Sequence, residues 1–262
     1  MGLSDKGVRS AASSASDNPV LESGARLGYA ASGVLHLTIA WVAVQLAWFH
    51  TSGGADQSGA LHTLASTGLG AFPLWIAVVG FALLGLWQLA EAVARRDAGT
   101  RAMAAAKGVV YLALAWSAVA VVSGSGSSGS KQTVDVTATL MGKPFGRILV
   151  GAVGLAVIGV GGYHLVKGAT AKFLNDLREN PGTWLVRAGR FGYVAKGIAL
   201  AVVGALFVVA AATRNPAKSQ GLDGALRTLL HAPFGPVLLT IVALGIAAYG
   251  IYSFARARYA RV

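Results

Sequence analysis

With 262 residues, of which 55% are hydrophobic and only 12% charged, the chain is too apolar for a water-soluble globule and long enough to cross a membrane several times. The absence of cysteine excludes disulfides, thiolate metal sites, iron–sulfur clusters and thiol nucleophiles. A net charge of +12 raises nucleic-acid binding, but the meaning of that charge depends on where the basic residues fall relative to the membrane.

Residues 1–24 are rich in Ser, Ala and Asp, contain Pro19 and lack an apolar core before a cleavage site, so they read as a short disordered cytoplasmic tail rather than a signal peptide. A bilayer core needs roughly 20 apolar residues per helix. Six stretches meet that length, at 27–49, 71–93, 102–122, 146–167, 191–212 and 235–255. The expected fold is an all-α integral membrane protein, and no length is left for a soluble catalytic domain.

The first, third and fifth spans open alike, with RLGYAASG from Arg26, RAMAAAKG from Arg101 and RFGYVAKG from Arg190. Each Arg and its closing glycine (Gly33, Gly108, Gly197) are seven residues apart, about two turns, and so share a helix face. A second pattern precedes the other spans: LASTGLG from Leu64, LMGKPFG from Leu140 and LLHAPFG from Leu229. The register continues inside these spans, where Gly85, Gly161 and Gly250 coincide and are followed by Trp87, Tyr163 and Tyr252. The chain therefore divides into three two-span repeats at 25–98, 99–170 and 189–262, with a segment 171–188 before the last. Two spans per copy give all copies one orientation, and a pseudo-threefold axis along the membrane normal follows.

GALHTL from Gly59 and GALRTLL from Gly224 read as short amphipathic helices on the outer surface, and SGSGSSGS from Ser123 as a flexible connector. KFLNDLREN from Lys172 reads as a cytoplasmic interfacial helix ended by Pro181 and Gly182. Of the 22 basic residues, 16 fall on the side of the termini and 6 on the other, which places both termini in the cytoplasm. Topology and attraction to anionic headgroups then account for the charge, and no nucleic-acid partner is expected.

Three Arg-x-Gly-Tyr-x-x-Lys-Gly helix starts, each paired with a Pro-Phe-Gly helix start, resemble the bacterial membrane family called domain of unknown function 1206. The resemblance covers nearly everything after residue 24. The third copy is closest to the pattern; the middle copy departs at Ala102, Met103 and Ala104, and the first has Ser32 for Lys and Gly68 for Pro. The resemblance implies a fold and no activity. The six-helix mitochondrial carriers differ, since their Pro-x-Asp/Glu-x-x-Lys/Arg signature is absent from the leading spans.

Arg26, Arg101 and Arg190 could form a cationic ring for phosphate or carboxylate, although anchoring to lipid headgroups is the commoner use of Arg at a helix start. Lys107 and Lys196 lie six residues further along their spans, still within snorkelling reach. Glu91, the one carboxylate in a span, is expected to pair with Arg101 or Lys107; Lys167 and Arg256 occupy its register in the other copies. His36 falls near the midplane and His164 nearer the inner surface, a poor arrangement for shared ligation. No acid–base pair, nucleophile or metal spacing emerges, so neither enzyme chemistry nor a cofactor is expected. The leading expectation is a non-enzymatic protein that binds membrane lipid or a partner protein, as a homo-oligomer or a subunit of a larger complex. The alternative is a transporter or channel for a small or amphiphilic solute through the pseudo-threefold centre.

Overall fold

A computed structural model describes residues 19–49, 53–66, 72–94, 97–179 and 181–260, apart from the side chains of Val20 and Leu21. The part of the expected tail before Pro19 lies outside the described residues. The helices are α1 (Pro19–Trp48), α2 (Gln57–Ala65), α3 (Phe72–Ala94), α4 (Ala98–Val122), α5 (Gly129–Met141), α6 (Gly146–Ala169), α7 (Thr183–Thr213), α8 (Gly221–Leu230) and α9 (Gly235–Tyr259). Six of them, α1, α3, α4, α6, α7 and α9, are long and apolar enough to cross a membrane, as expected of a chain whose backbone polar groups must be satisfied within each span. Each repeat is thus a long leading helix, a short helix and a long closing helix.

Two boundaries differ from the hydrophobic spans. α1 and α7 begin eight residues before 27 and 191, respectively. Their extra turns carry Glu22, Arg26 and Arg187, which lower hydropathy without opposing helix formation, and Pro19 sits in a first turn, where its missing N–H costs nothing. Pro19–Gly24 is therefore helix rather than tail. The segment KFLNDLREN also differs: it forms only a 3-10 turn, Lys172–Asp176, and then a β-bridge from Leu177 to Ala260. Phe173 and Leu177 are buried in protein. Phe173 stacks on Tyr193 at 5.2 Å and meets Tyr252 edge-on at 5.0 Å, partners that a lipid surface does not offer.

The tightest packing lies between repeats. α3 packs on α4, α6 on α7, and α9 on α1, so the last helix closes onto the first. The repeated glycines make each of these seams. A Cβ added at Gly161 would sit 2.8 Å from the Gly197 carbonyl oxygen, one at Gly85 3.2 Å from that of Gly108, and one at Gly250 3.0 Å from that of Gly33. Backbones approach this closely only where no side chain intervenes.

Within repeats the symmetry fails once. α1 packs on α3 and α7 on α9, whereas α4 and α6 lack the corresponding packed seam. At the closed seams a Cβ on Gly28 would meet the Gly80 carbonyl oxygen at 2.5 Å, and one on Gly192 the Tyr249 backbone nitrogen at 2.5 Å. The middle repeat has Met103 where the others have Gly28 and Gly192, and Ala156 where they have Gly80 and Gly245. Without the glycines the two backbones stay apart.

On the face opposite the termini, the short helices meet. Asp223 joins all three repeats there: its Oδ1 accepts the Ala55 N–H at 2.9 Å, and its Oδ2 accepts Ser130 Oγ at 3.2 Å and Arg227 Nε at 2.9 Å. Asp56 caps α2 by accepting the Gly59 N–H at 2.8 Å. Burial, reinforced by the neighbouring Asp223 carboxylate, raises the Asp56 pKa above the ordinary carboxylate range, against hydrogen bonds that lower it. The third short helix, α5, occupies sequence rich in β-branched residues. The Pro-Phe-Gly motif is the turn out of the short helix: Phe145 and Phe234 adopt φ of 59° and 58°, and a Cβ on Gly146 or Gly235 would collide with the carbonyl of Leu140 or Leu230.

Below this cap, the half of the bundle nearer the short helices is filled by Leu35, Ile39, Leu61, Phe81, Leu226 and Leu239, all fully buried. The half nearer the termini is different in chemistry.

Candidate functional site

Leading helices run away from the terminal face and closing helices run back towards it. A residue just before the seam glycine of a leading helix and one six positions after the seam glycine of a closing helix therefore both lie on the terminal side of the crossing. These positions hold Lys107 and Lys196 on α4 and α7, Lys167 and Arg256 on α6 and α9, and Ser32 and Glu91 in the first repeat. The repeat thus gathers four cations in one layer. Lys107 lies within electrostatic reach of Arg256, Lys167 and Asp176, and Lys196 within reach of His36, His164 and Tyr249.

Aromatic rings carry much of the layer. The Lys196 ammonium stands 4.1 Å from the Tyr249 ring centroid, and the Arg256 guanidinium 4.1 Å from that of Tyr29. Lys167 lies 5.7 Å from the Tyr163 centroid and 5.5 Å from that of Tyr193, and donates to Asp176 Oδ2 at 2.6 Å. A cation held on a ring face gains on the order of 0.5–2 kcal/mol and keeps its net charge. Lys107, Lys196 and Arg256 have no carboxylate within ion-pair distance among the described residues. The layer retains a positive excess.

Two buried donors have no hydrogen-bond partner among the described residues, Arg256 Nε and Trp87 Nε1. Trp87 shares a buried cluster with Tyr29, the ring beneath Arg256. Buried donors are ordinarily paired, so each of these two marks a place suited to a hydrogen-bond acceptor.

The histidines join the same layer. His36 Nδ1 donates to the Ser32 carbonyl at 2.7 Å and His164 Nδ1 to that of Val160 at 2.8 Å, which leaves Nε2 of each as the acceptor. The His36 ring is 4.8 Å from Tyr249 and the His164 ring 5.6 Å from Tyr193, and the two tyrosines meet at 5.3 Å. The histidines are linked through tyrosines rather than facing each other.

The arginines at the helix starts have other partners. Arg26 donates to the Ala257 and Arg258 carbonyls at 3.3 and 2.6 Å and pairs with Glu22 at 2.9 Å, while Arg190 donates to the Ala169 carbonyl at 2.7 Å. Each satisfies carbonyls at the end of the closing helix across its own seam, where a helix leaves acceptors unpaired. Arg101 is exposed, and Glu91 is half-buried near the end of α3 and engaged there. The structure thus brings Lys107, Lys196, His36 and His164 together and sets Arg26 and Arg190 apart at two seams.

Sequence reasoning left Lys167 and Arg256 among the topological charges and did not single out Tyr29, Tyr193 or Tyr249. The available signal was register, because Lys167 and Arg256 stand where the first repeat has Glu91. Among the described residues no group of three or more His, Asp or Glu side chains could hold a metal ion.

These features define a multi-pass membrane protein of three tandem two-span repeats around a cationic and aromatic layer. The family Domain of Unknown Function (DUF1206) matches at residues 27–95, 102–171 and 191–260, once for each structural repeat. The chain belongs to that family. It is also similar to "Uncharacterized protein YxxB" of Bacillus subtilis (strain 168), with 31% identity over 89% of each chain. No solved structure matches significantly.

Proposed function

We propose that the protein is a non-enzymatic membrane component that binds an anionic amphiphile, with both termini in the cytoplasm of a bacterial cell and the cationic layer in the cytoplasmic half of the plasma membrane. The observation that carries this reading is the convergence of Lys107, Lys167, Lys196 and Arg256, of which only Lys167 pairs with a carboxylate among the described residues, Asp176. Unpaired charge within a bilayer costs about 2.5–3.5 kcal/mol per group near the centre, so a cluster of cations with a surplus favours a counter-anion. The packed apolar half under the short helices supports one-sided binding over a continuous path.

Native mass spectrometry of the protein released from vesicles containing phosphatidylglycerol and phosphatidylcholine tests this. Retention of the anionic lipid by the natural chain and its loss in the Lys107→Gln/Lys196→Gln variant is the expected result. Equal retention of both lipids by the natural chain counts against it. The same spectra report whether a second copy or another protein travels with the chain.

A further inference from the structure

Resting on that reading, we infer that the ligand is a phospholipid of the leaflet on the terminal face, and that its phosphate reaches the cationic layer sideways between α4 and α6. The middle repeat departs from its neighbours at three related places. Met103 and Ala156 stand in for the glycines that close the other two intra-repeat seams, and Ala104 stands where those repeats have Tyr29 and Tyr193. The first two changes hold the backbones apart, and the third removes a ring that would project into the layer. All three changes enlarge the same side of the bundle.

The surface along this side is graded as an amphiphile is. On α4, Met103, Lys107 and Val110 lie four and three residues apart, on one helix face, and all are exposed. On α6, Val160, Tyr163 and Lys167 have the same spacing; the first two are exposed and Lys167 is buried. Each stripe pairs an apolar residue nearer the membrane middle, Val110 or Val160, with a lysine nearer the terminal face. A phosphate at Lys107 and Lys167 and a chain along Val110 and Val160 match that gradient in charge and polarity.

Entry from water is less open. Phe173 is fully buried against Tyr193 and Tyr252, and its carbonyl accepts the Tyr252 hydroxyl at 3.3 Å, so the α6–α7 connection covers the layer under the third repeat. A soluble phosphate would have to pass this cover. A lipid arrives already beside Lys107.

The test uses the full chain in vesicles, and its natural lack of cysteine permits single-site labelling. Val110→Cys on the seam and Leu244→Cys on the lipid-facing side of α9 are each labelled with bimane and quenched by brominated phosphatidylglycerol or brominated phosphatidylcholine. Both positions are exposed, so the labels disturb no packed contact. The expected result is a preference for the anionic quencher of about tenfold at 110 and none at 244. Preference at 110 should disappear in Met103→Gly/Ala104→Tyr/Ala156→Gly, which restores the closed-seam pattern. Equal quenching by both lipids at 110 overturns the lateral site. If phosphatidylglycerol is still retained in native mass spectra in a Lys107/Lys196-dependent way while position 110 shows no preference, the proposed function survives and the lateral site falls. If inorganic phosphate stabilises the chain in that Lys-dependent way and neither lipid is preferred, or if no preference is seen by either method, both fall. A closed-seam variant that folds and keeps the preference also overturns the route.

Discussion

The two closed intra-repeat seams and the open one differ by a few atoms in equivalent places. At α1–α3 and α7–α9, glycines allow backbone to lie against backbone; at α4–α6, Met103 and Ala156 prevent it. The same repeat therefore produces a sealed wall twice and an accessible flank once. Internal duplication supplies the frame, and small departures within one copy make its α4–α6 side unlike the other two.

The largest effect is expected at the tightest seam. Gly161→Leu drives a side chain into the Gly197 backbone and should cost about 3 kcal/mol or more, read as a fall in the unfolding midpoint in detergent. Met103→Leu, on the open side, should stay within about 0.5 kcal/mol by the same measurement. Equal losses at the two positions would erase the distinction between the seams.

Asp223→Ala removes one carboxylate that ties three repeats and leaves the Ala55 N–H and Arg227 without it, so a loss of about 2–3 kcal/mol is expected. Arg190→Gln should cost about 1 kcal/mol or less, because its bond to the Ala169 carbonyl is exposed. Denaturant titrations rank these two. A larger loss for Arg190→Gln would place more of the stability at the terminal face than the packing indicates.

The smallest effect concerns pH. Because the folded Asp56 pKa is raised, its contribution to stability is full below about pH 4, the unfolded value, and is lost as pH rises through the folded value. Asp56→Asn should flatten that part of the stability profile. An unchanged profile would move the dependence to another group.

The spans, the three copies and the seam glycines were legible because periodicity and register survive in sequence. Hydropathy located the apolar cores of α1 and α7 and missed their polar first turns, since helix length here follows contacts at the terminal face as well as bilayer thickness. KFLNDLREN showed an amphipathic spacing, yet aromatic neighbours from α7 and α9, distant in sequence, decide its place. Of the site, Lys107, Lys196, His36 and His164 were legible as polar residues inside apolar spans. Lys167 and Arg256 were not, because a cation near a helix end is ordinarily an anchor, and only the inter-repeat packing shows that they turn toward the other lysines.

The contact between α1 and α9 has a consequence for biosynthesis. Gly33 of α1 finds its glycine partner, Gly250, only after α9 has been made, whereas Gly108 and Gly197 meet partners on the helices that immediately precede them. Until α9 is made, the Gly33 face of α1 has no partner, and the carbonyls that Arg26 satisfies do not yet exist. The ring of seams is therefore closed by α9, and a chain lacking it leaves the Gly33 face of α1 unpacked while α1 still packs on α3.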